Sequence, residues 1–155
     1  VAVDINPKAL QLTAVNAKLA GAAGIIPVHS NLLDNVQGNF DLIIANPPYM
    51  NDVQKRAYRH GGGKFGEGLS KKIIDTALNR LSPGGTLLLY TGVAIIDGVD
   101  PFLSAIAQQL QQQSCRWFYE EIDPDVFSDE LLKPAYEQVE RIAAVSLEVV
   151  KCPIR

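Results

Sequence analysis

Short apolar runs alternate with amphipathic stretches along this whole chain, and no other feature limits its fold so tightly. A run of about three to six apolar residues suits a buried strand, and the helically spaced stretch after it carries the chain back to begin a parallel neighbour. Val1-Ala2-Val3 is the first run. Asn6-Pro7 then supplies a helix N-cap with proline at the first helical position, Leu12, Val15 and Leu19 fall on one face, and Gly21 and Gly24 are stops. Ile25 to His29 reads as a second strand and Asp41 to Ala45 as a third, buried one. From Leu69 to Leu81 the apolar positions Ile73, Ile74, Ala77, Leu78 and Leu81 keep helical spacing until Ser82-Pro83-Gly84-Gly85 interrupts it, and Thr86 to Thr91 is a fourth strand. Asp100-Pro101 opens another helix, with Leu103, Ile106 and Leu110 on one face. Two strands remain, Arg116 to Ile122 and Arg141 to Val150, and the proline-containing connection between them suits an antiparallel return rather than a crossover helix. The expected fold is α/β and Rossmann-like, a mainly parallel sheet with helices on both faces and an antiparallel C-terminal strand.

A chain of 155 residues fits one domain with a sizeable core. It has no stretch near the roughly 20 apolar residues of a membrane span and no signal-peptide pattern, so the cytosol is its expected setting. Cys115 and Cys152 lie far apart with no His or Cys at ligand spacing, which predicts reduced thiols and no metal site. A net charge of −3 and a pI near 5.3 argue against tight sequence-independent nucleic-acid binding, although a local basic patch can still serve. The glutamine run Gln108 to Gln113 reads as a solvated helix face.

In open α/β sheets ligands bind beyond the carboxyl ends of the strands, so strand-end residues carry the functional information. Asp4 ends the first strand, where an acid accepts hydrogen bonds from ribose hydroxyls. Asn31 follows the second, where its amide can meet an adenine edge or simply form a turn. The third strand ends in Asn46-Pro47-Pro48-Tyr49. Each proline fixes its own φ and presses the residue before it toward extended backbone, so the loop is pre-organised. The Asn46 side-chain oxygen and the Pro47 carbonyl can then accept both hydrogens of one planar –NH2 group, while Tyr49 offers a face for the flat group that carries it. Such a nitrogen is a poor nucleophile because its lone pair is delocalised. Holding both hydrogens favours a pyramidal nitrogen whose lone pair can attack, with no general base needed before transfer.

At these residues the chain resembles the class I S-adenosylmethionine-dependent methyltransferases of the amino-methylating group, whose Asn/Asp-Pro-Pro-Tyr/Phe/Trp motif follows the fourth strand. Val1 to Asp4 is similar to that family's second strand with its ribose-binding acid, Asn31-Leu32 to its adenine-contacting position, Gly84 to Leu89 to its fifth strand, and the closing pair to its sixth and antiparallel seventh. The resemblance implies S-adenosylmethionine as cofactor, bound by Asp4, Ile5, Asn31, Leu32 and Asn46, and a catalytic set of Asn46, Pro47, Pro48 and Tyr49. Gly62-Gly63-Lys64-Phe65-Gly66-Glu67-Gly68-Leu69 is similar to a Gly-Gly-x-x-Gly-Leu stretch in the protein-glutamine N5-methyltransferases that act on peptide release factors. Where those enzymes end the fifth strand in glutamate and glycine, this chain has Leu89-Tyr90-Thr91-Gly92.

The substrate implied is a protein glutamine, a release factor or another glutamine-bearing protein. The alternative is a nucleic-acid amine, adenine N6 or rRNA guanine N2. Lys55, Arg56, Arg59, His60 and Lys64 crowd the loop after the motif, which reads either as a contact surface for RNA phosphates or an acidic protein or equally as a solvated mobile segment, and its glycines suit a hinged lid. A noncatalytic binding module and a nicotinamide-dependent enzyme are the competing classes, and the double acceptor for –NH2 separates both from a methyltransferase. The family's first strand and glycine-rich turn are absent from this sequence, so residues 1–155 are expected to be the C-terminal portion of one catalytic domain. The strands flanking that gap are then left with unpaired edges, and the fragment is expected to self-associate, to bind the cofactor weakly and to be inactive.

Overall fold

A computed structural model describes residues 1–113 and 115–153. Contacts divide it into two compact units, Val1–Asn39 and Phe40–Arg155. The first unit contains β1 (Ala2–Asp4), α1 (Pro7–Leu19) and β2 (Pro27–His29). β1 and β2 pair in parallel, Asp4 opposite His29, in a two-stranded sheet. Asn6 caps α1 by accepting from Lys8 N–H at 3.0 Å, Pro7 opens the helix, and Gly21 follows its end at φ +66. The helix turns inward a different face from the one expected. Leu12, Val15 and Leu19 are exposed, while Leu10, Thr13, Ala14 and Ala17 form the covered stripe. Two strands of three residues offer little apolar surface, and small side chains let the helix lie close to it.

The second unit holds β3 (Phe40–Ala45), α2 (Gly68–Arg80), β4 (Leu81–Ile95), α3 (Pro101–Gln111), β5 (Cys115–Asp123) and β6 (Arg141–Lys151), with short 3₁₀ turns at Ser128–Leu132 and Pro134–Tyr136. Its sheet order is β3-β4-β6-β5. β3 runs parallel to β4, and β6 is antiparallel to both β4 and β5. The reversed strand is therefore internal, and β5 forms the edge. β4 is much longer than Thr86 to Thr91 because β6 pairs with it from Thr86–Val150 to Ile95–Arg141. Helix α2 ends at Arg80, just before Ser82-Pro83-Gly84-Gly85, which forms a bulge inside β4 instead of a loop ahead of it. The register jumps from Phe40–Leu81 to Leu42–Thr86, with Gly84 at φ +83 and Gly85 packed where a Cβ would stand 2.7 Å from the Phe40 carbonyl oxygen.

One face of this sheet is sealed. Leu87, Leu89, Val145, Leu147 and Val149 are buried, as are Ile73, Ile74 and Ala77 of α2 and Phe102, Ile106 and Leu110 of α3. Each fully buried aliphatic side chain contributes about 1.5–3 kcal/mol. Alternate residues Ile44, Leu88 and Phe118 point the other way and are exposed. Lys151 Nζ donates to the Leu78 and Leu81 carbonyls at 2.9 and 3.0 Å, which ties β6 to the end of α2. No helix among the described residues is long and apolar enough to cross a membrane.

Candidate functional site

In the first unit the four expected cofactor positions gather at the carboxyl ends of β1 and β2. Asp4 Oδ1 accepts from Asn6 N–H at 2.7 Å, and its second carboxylate oxygen has no hydrogen-bond partner among the described residues. His29 Nε2 lies 3.0 Å from the Ile5 carbonyl oxygen, clamping the two strand ends together. The turn after β2 is pinned by Ser30, whose buried Oγ accepts from Asn35 N–H at 3.0 Å, and by Asn35 Nδ2 donating to the His29 carbonyl at 2.9 Å. Asn31 Nδ2 donates to Asp34 Oδ2 at 3.2 Å, and its side-chain oxygen is in no hydrogen bond among the described residues. Leu32 sits at φ +50, with its N–H in no hydrogen bond among the described residues.

In the second unit Ala45 ends β3 and the motif begins. Asn46 is exposed, Pro47 buried, and Pro48 and Tyr49 half-buried. Neither the Asn46 side-chain amide nor the Pro47 carbonyl enters a hydrogen bond among the described residues, so both expected acceptors are unspent. Tyr49 is held on three sides. Its ring lies against Gly92 of β4, where a Cβ would stand 2.6 Å from Cε2. Tyr90 meets it nearly edge-on, with ring centroids 6.4 Å apart and planes at 66°, and Phe127 tilts against it at 6.1 Å and 54°. Burial and, after it, the Tyr90 hydroxyl push the Tyr49 phenol above its ordinary value, so it stays neutral at physiological pH. Met50 anchors the end of the motif in a small core with Ala94, Tyr136, Val139 and Ile142.

The glycine-rich loop is built around the motif backbone. Met50 N–H donates to the Arg59 carbonyl at 3.0 Å, and Gly61 N–H donates back to the Met50 carbonyl at 2.9 Å. A Cβ on Gly61 would stand 2.6 Å from the Pro48 oxygen, and one on Gly66, at φ +103, would stand 2.6 Å from the Tyr49 carbonyl carbon. Gly61 and Gly66 are glycines because another strand of backbone passes through the space a side chain needs. Tyr136 Oη accepts from Asn51 N–H at 2.7 Å, joining this loop to the segment before β6.

The loop's two arginines are paired within the chain. Arg56 pairs with buried Asp52 through Nε at 2.8 Å and Nη2 at 2.7 Å, and this partner holds the Asp52 carboxyl far below the usual range. Arg59 pairs with buried Glu130, which also takes Lys133 Nζ at 2.6 Å on both oxygens. His60 Nδ1 accepts from Asp52 N–H at 3.1 Å. A guanidinium already committed to a buried carboxylate has little left for a phosphate. Sequence reasoning missed Tyr90, Gly92, Phe127, Glu130 and Tyr136, which lie 41 to 87 residues beyond Tyr49 in the chain. Gly92 carried the one usable signal, a glycine in a strand where a neighbour approaches closely.

Residues 1–95 match the family model described as Methyltransferase small domain. The release factor glutamine methyltransferase of Borreliella burgdorferi is 35% identical over 97 residues, 56% of this chain and 34% of that protein. The ribosomal protein uL3 glutamine methyltransferase of Neisseria meningitidis is 30% identical over 102 residues, 59% of this chain and 34% of its own length. The chain thus matches about a third of the length of these relatives. Among solved structures, a methyltransferase from Pyrococcus furiosus aligns with TM-score 0.63 at 20% identity, covering 97% of this chain and 61% of its own. The tRNA m1G37 methyltransferase of M. jannaschii aligns with TM-score 0.60 at 22% identity, covering 99% and 37%. At such identities these two establish the fold, a Rossmann-like methyltransferase sheet.

Proposed function

This chain belongs to the Methyltransferase small domain family, and from that premise we propose that it transfers a methyl group from S-adenosylmethionine to a planar amide nitrogen, the side-chain nitrogen of a protein glutamine. The observation that carries this reading is the pair of unspent acceptors, Asn46 Oδ1 and the Pro47 carbonyl, beside a tyrosine ring held on three sides. The names of the relatives point to the same substrate class, a release factor or a ribosomal protein. The chain is proposed to work in the cytosol.

The strand ends of the first unit fit the cofactor. The free Asp4 oxygen suits a ribose hydroxyl, and the unpaired Leu32 N–H and the Asn31 oxygen suit the acceptor and amine of an adenine edge, next to Ile5. S-adenosylmethionine, when bound, supplies an electrophilic methyl group. Asn46 Oδ1 and the Pro47 carbonyl accept the two hydrogens of the acceptor –NH2, which favours a pyramidal nitrogen with its lone pair turned outward. Pro47 and Pro48 keep those acceptors from relaxing, so the geometry is ready before substrate arrives. Tyr49 stacks on the amide plane. With Arg56 and Arg59 paired to carboxylates, the loop favours a protein acceptor over RNA.

The test is to incubate the full-length protein with radiolabelled cofactor and a cell lysate, then divide the product between protease and nuclease. Protease alone should release the label. Release by nuclease alone overturns the glutamine reading in favour of a nucleic-acid base.

A further inference from the structure

Phe127 has a backbone that suits glycine and a ring that lies outside the buried core, against Tyr49. Its φ is +58, in the left-handed region where a Cβ is strained. Its ring is 51% exposed and lies outside the buried core. The strain is imposed from both sides. Val126 N–H donates to the Ile142 carbonyl at 2.7 Å, and Glu130 N–H donates to the Phe127 carbonyl at 2.8 Å. The Glu130 carboxylate is in turn gripped by Arg59, from the loop that follows Tyr49. A residue kept in such a conformation by over-determined surroundings is a pointer to function, and here the ring it presents leans on Tyr49.

The tilt says what fits there. Two parallel rings would make a slot for a flat base, whereas Tyr49 and Phe127 stand at 54° and form a wedge. A flat amide on the face of Tyr49, followed by a flexible methylene stem turning away from that plane, matches a wedge better than a slot. The geometry points to Phe127 as a substrate-contact residue that packs on the aliphatic stem of the acceptor glutamine and so selects the chain that carries the amide. This inference rests on the glutamine reading above and adds a specificity residue to it.

The experiment uses the full-length protein, purified release factor as methyl acceptor and radiolabelled cofactor. Phe127→Gly and Phe127→Asn both accept a left-handed backbone, so the thermal midpoint should hold or rise while KM for release factor increases at least tenfold, a larger factor than any fall in kcat from the lost support of Tyr49. Phe127→Tyr, which keeps the ring, should restore KM. A KM within twofold of wild type in both variants overturns the inference while leaving the glutamine reading standing. So does a joint loss of thermal midpoint and kcat that tyrosine does not repair, which would mark Phe127 as structural. Failure of the wild-type protein to label release factor overturns the premise, and the inference falls with it.

Discussion

Replacing Gly92 with alanine places a methyl group inside the ring of Tyr49. The backbone of Gly92 is not in the left-handed region, so the substitution is a steric perturbation alone. The new Cβ would stand 2.6 Å from Tyr49 Cε2, against an optimal carbon–carbon separation of about 3.5–4.0 Å, a shortfall of about 1 Å. β4 cannot retreat, because β6 pairs Gly92 with Ala144 and the residues around it are buried. The ring must therefore move, towards Tyr90 and Phe127. Overpacking of this kind costs about 1–3 kcal/mol of stability, and a misplacement of about 1 Å in a substrate-positioning group costs about a hundredfold in rate. Steady-state methyl transfer by full-length Gly92→Ala should show a turnover about two orders of magnitude below wild type. Urea unfolding gives the second reading: the stability cost should nearly vanish in a Tyr49→Ala background, since the new methyl then occupies the space the ring has left. Turnover within threefold of wild type, or an equal stability cost in both backgrounds, would refute the seating of Tyr49 on Gly92.

Asn46→Ala should reduce turnover below a tenth of wild type, a loss of at least about 1.4 kcal/mol of transition-state stabilisation, while calorimetric cofactor affinity stays nearly unchanged; a larger residual activity removes Asn46 from the chemical step. Gly66→Ala meets both a left-handed backbone and the Tyr49 carbonyl carbon at 2.6 Å, so unfolding should show a loss of about 3 kcal/mol or more, and a milder effect would mean that the loop can yield. Acid should expose the Glu130 cluster. Burial alone would raise the Glu130 carboxyl, but Lys133 and Arg59 more than offset it and hold it below its ordinary value. A depressed folded-state value means the stabilisation is fully present above the unfolded value of about 4.3 and is lost as pH falls through the folded one. Urea midpoints measured between pH 7 and pH 3 should therefore fall less steeply in Glu130→Gln than in wild type, and equal slopes would contradict the assignment.

The chain order of strands and helices was legible in the sequence because it rests on local effects: hydrophobic period, proline at helix starts, and glycine at their ends. Asn6-Pro7 and Asp100-Pro101 cap their helices as read, with Asp100 Oδ1 accepting from Leu103 N–H at 2.9 Å. The Asn46 to Tyr49 motif was legible for a related reason, since two consecutive prolines restrict backbone freedom whatever surrounds them. What the sequence could not reveal depends on pairing across distance. The face α1 turns inward depends on how much sheet it has to cover, and the extension of β4 to Ile95 requires β6 as its neighbour. The basic loop read as free charge because Asp52 was the only acid in view before Glu67. Glu130, 71 residues from Arg59, is brought to it only when the segment before β6 folds back. The same return lays Phe127 beside Tyr49, and the pairing of β3 with β4 carries Gly92 beneath it. By itself the sequence thus determined the elements and the acceptor motif, through interactions spanning a few residues. The support that keeps the Tyr49 ring in one orientation was decided by the tertiary structure, because its ring contacts with Tyr90, Gly92 and Phe127 join residues more than forty positions apart.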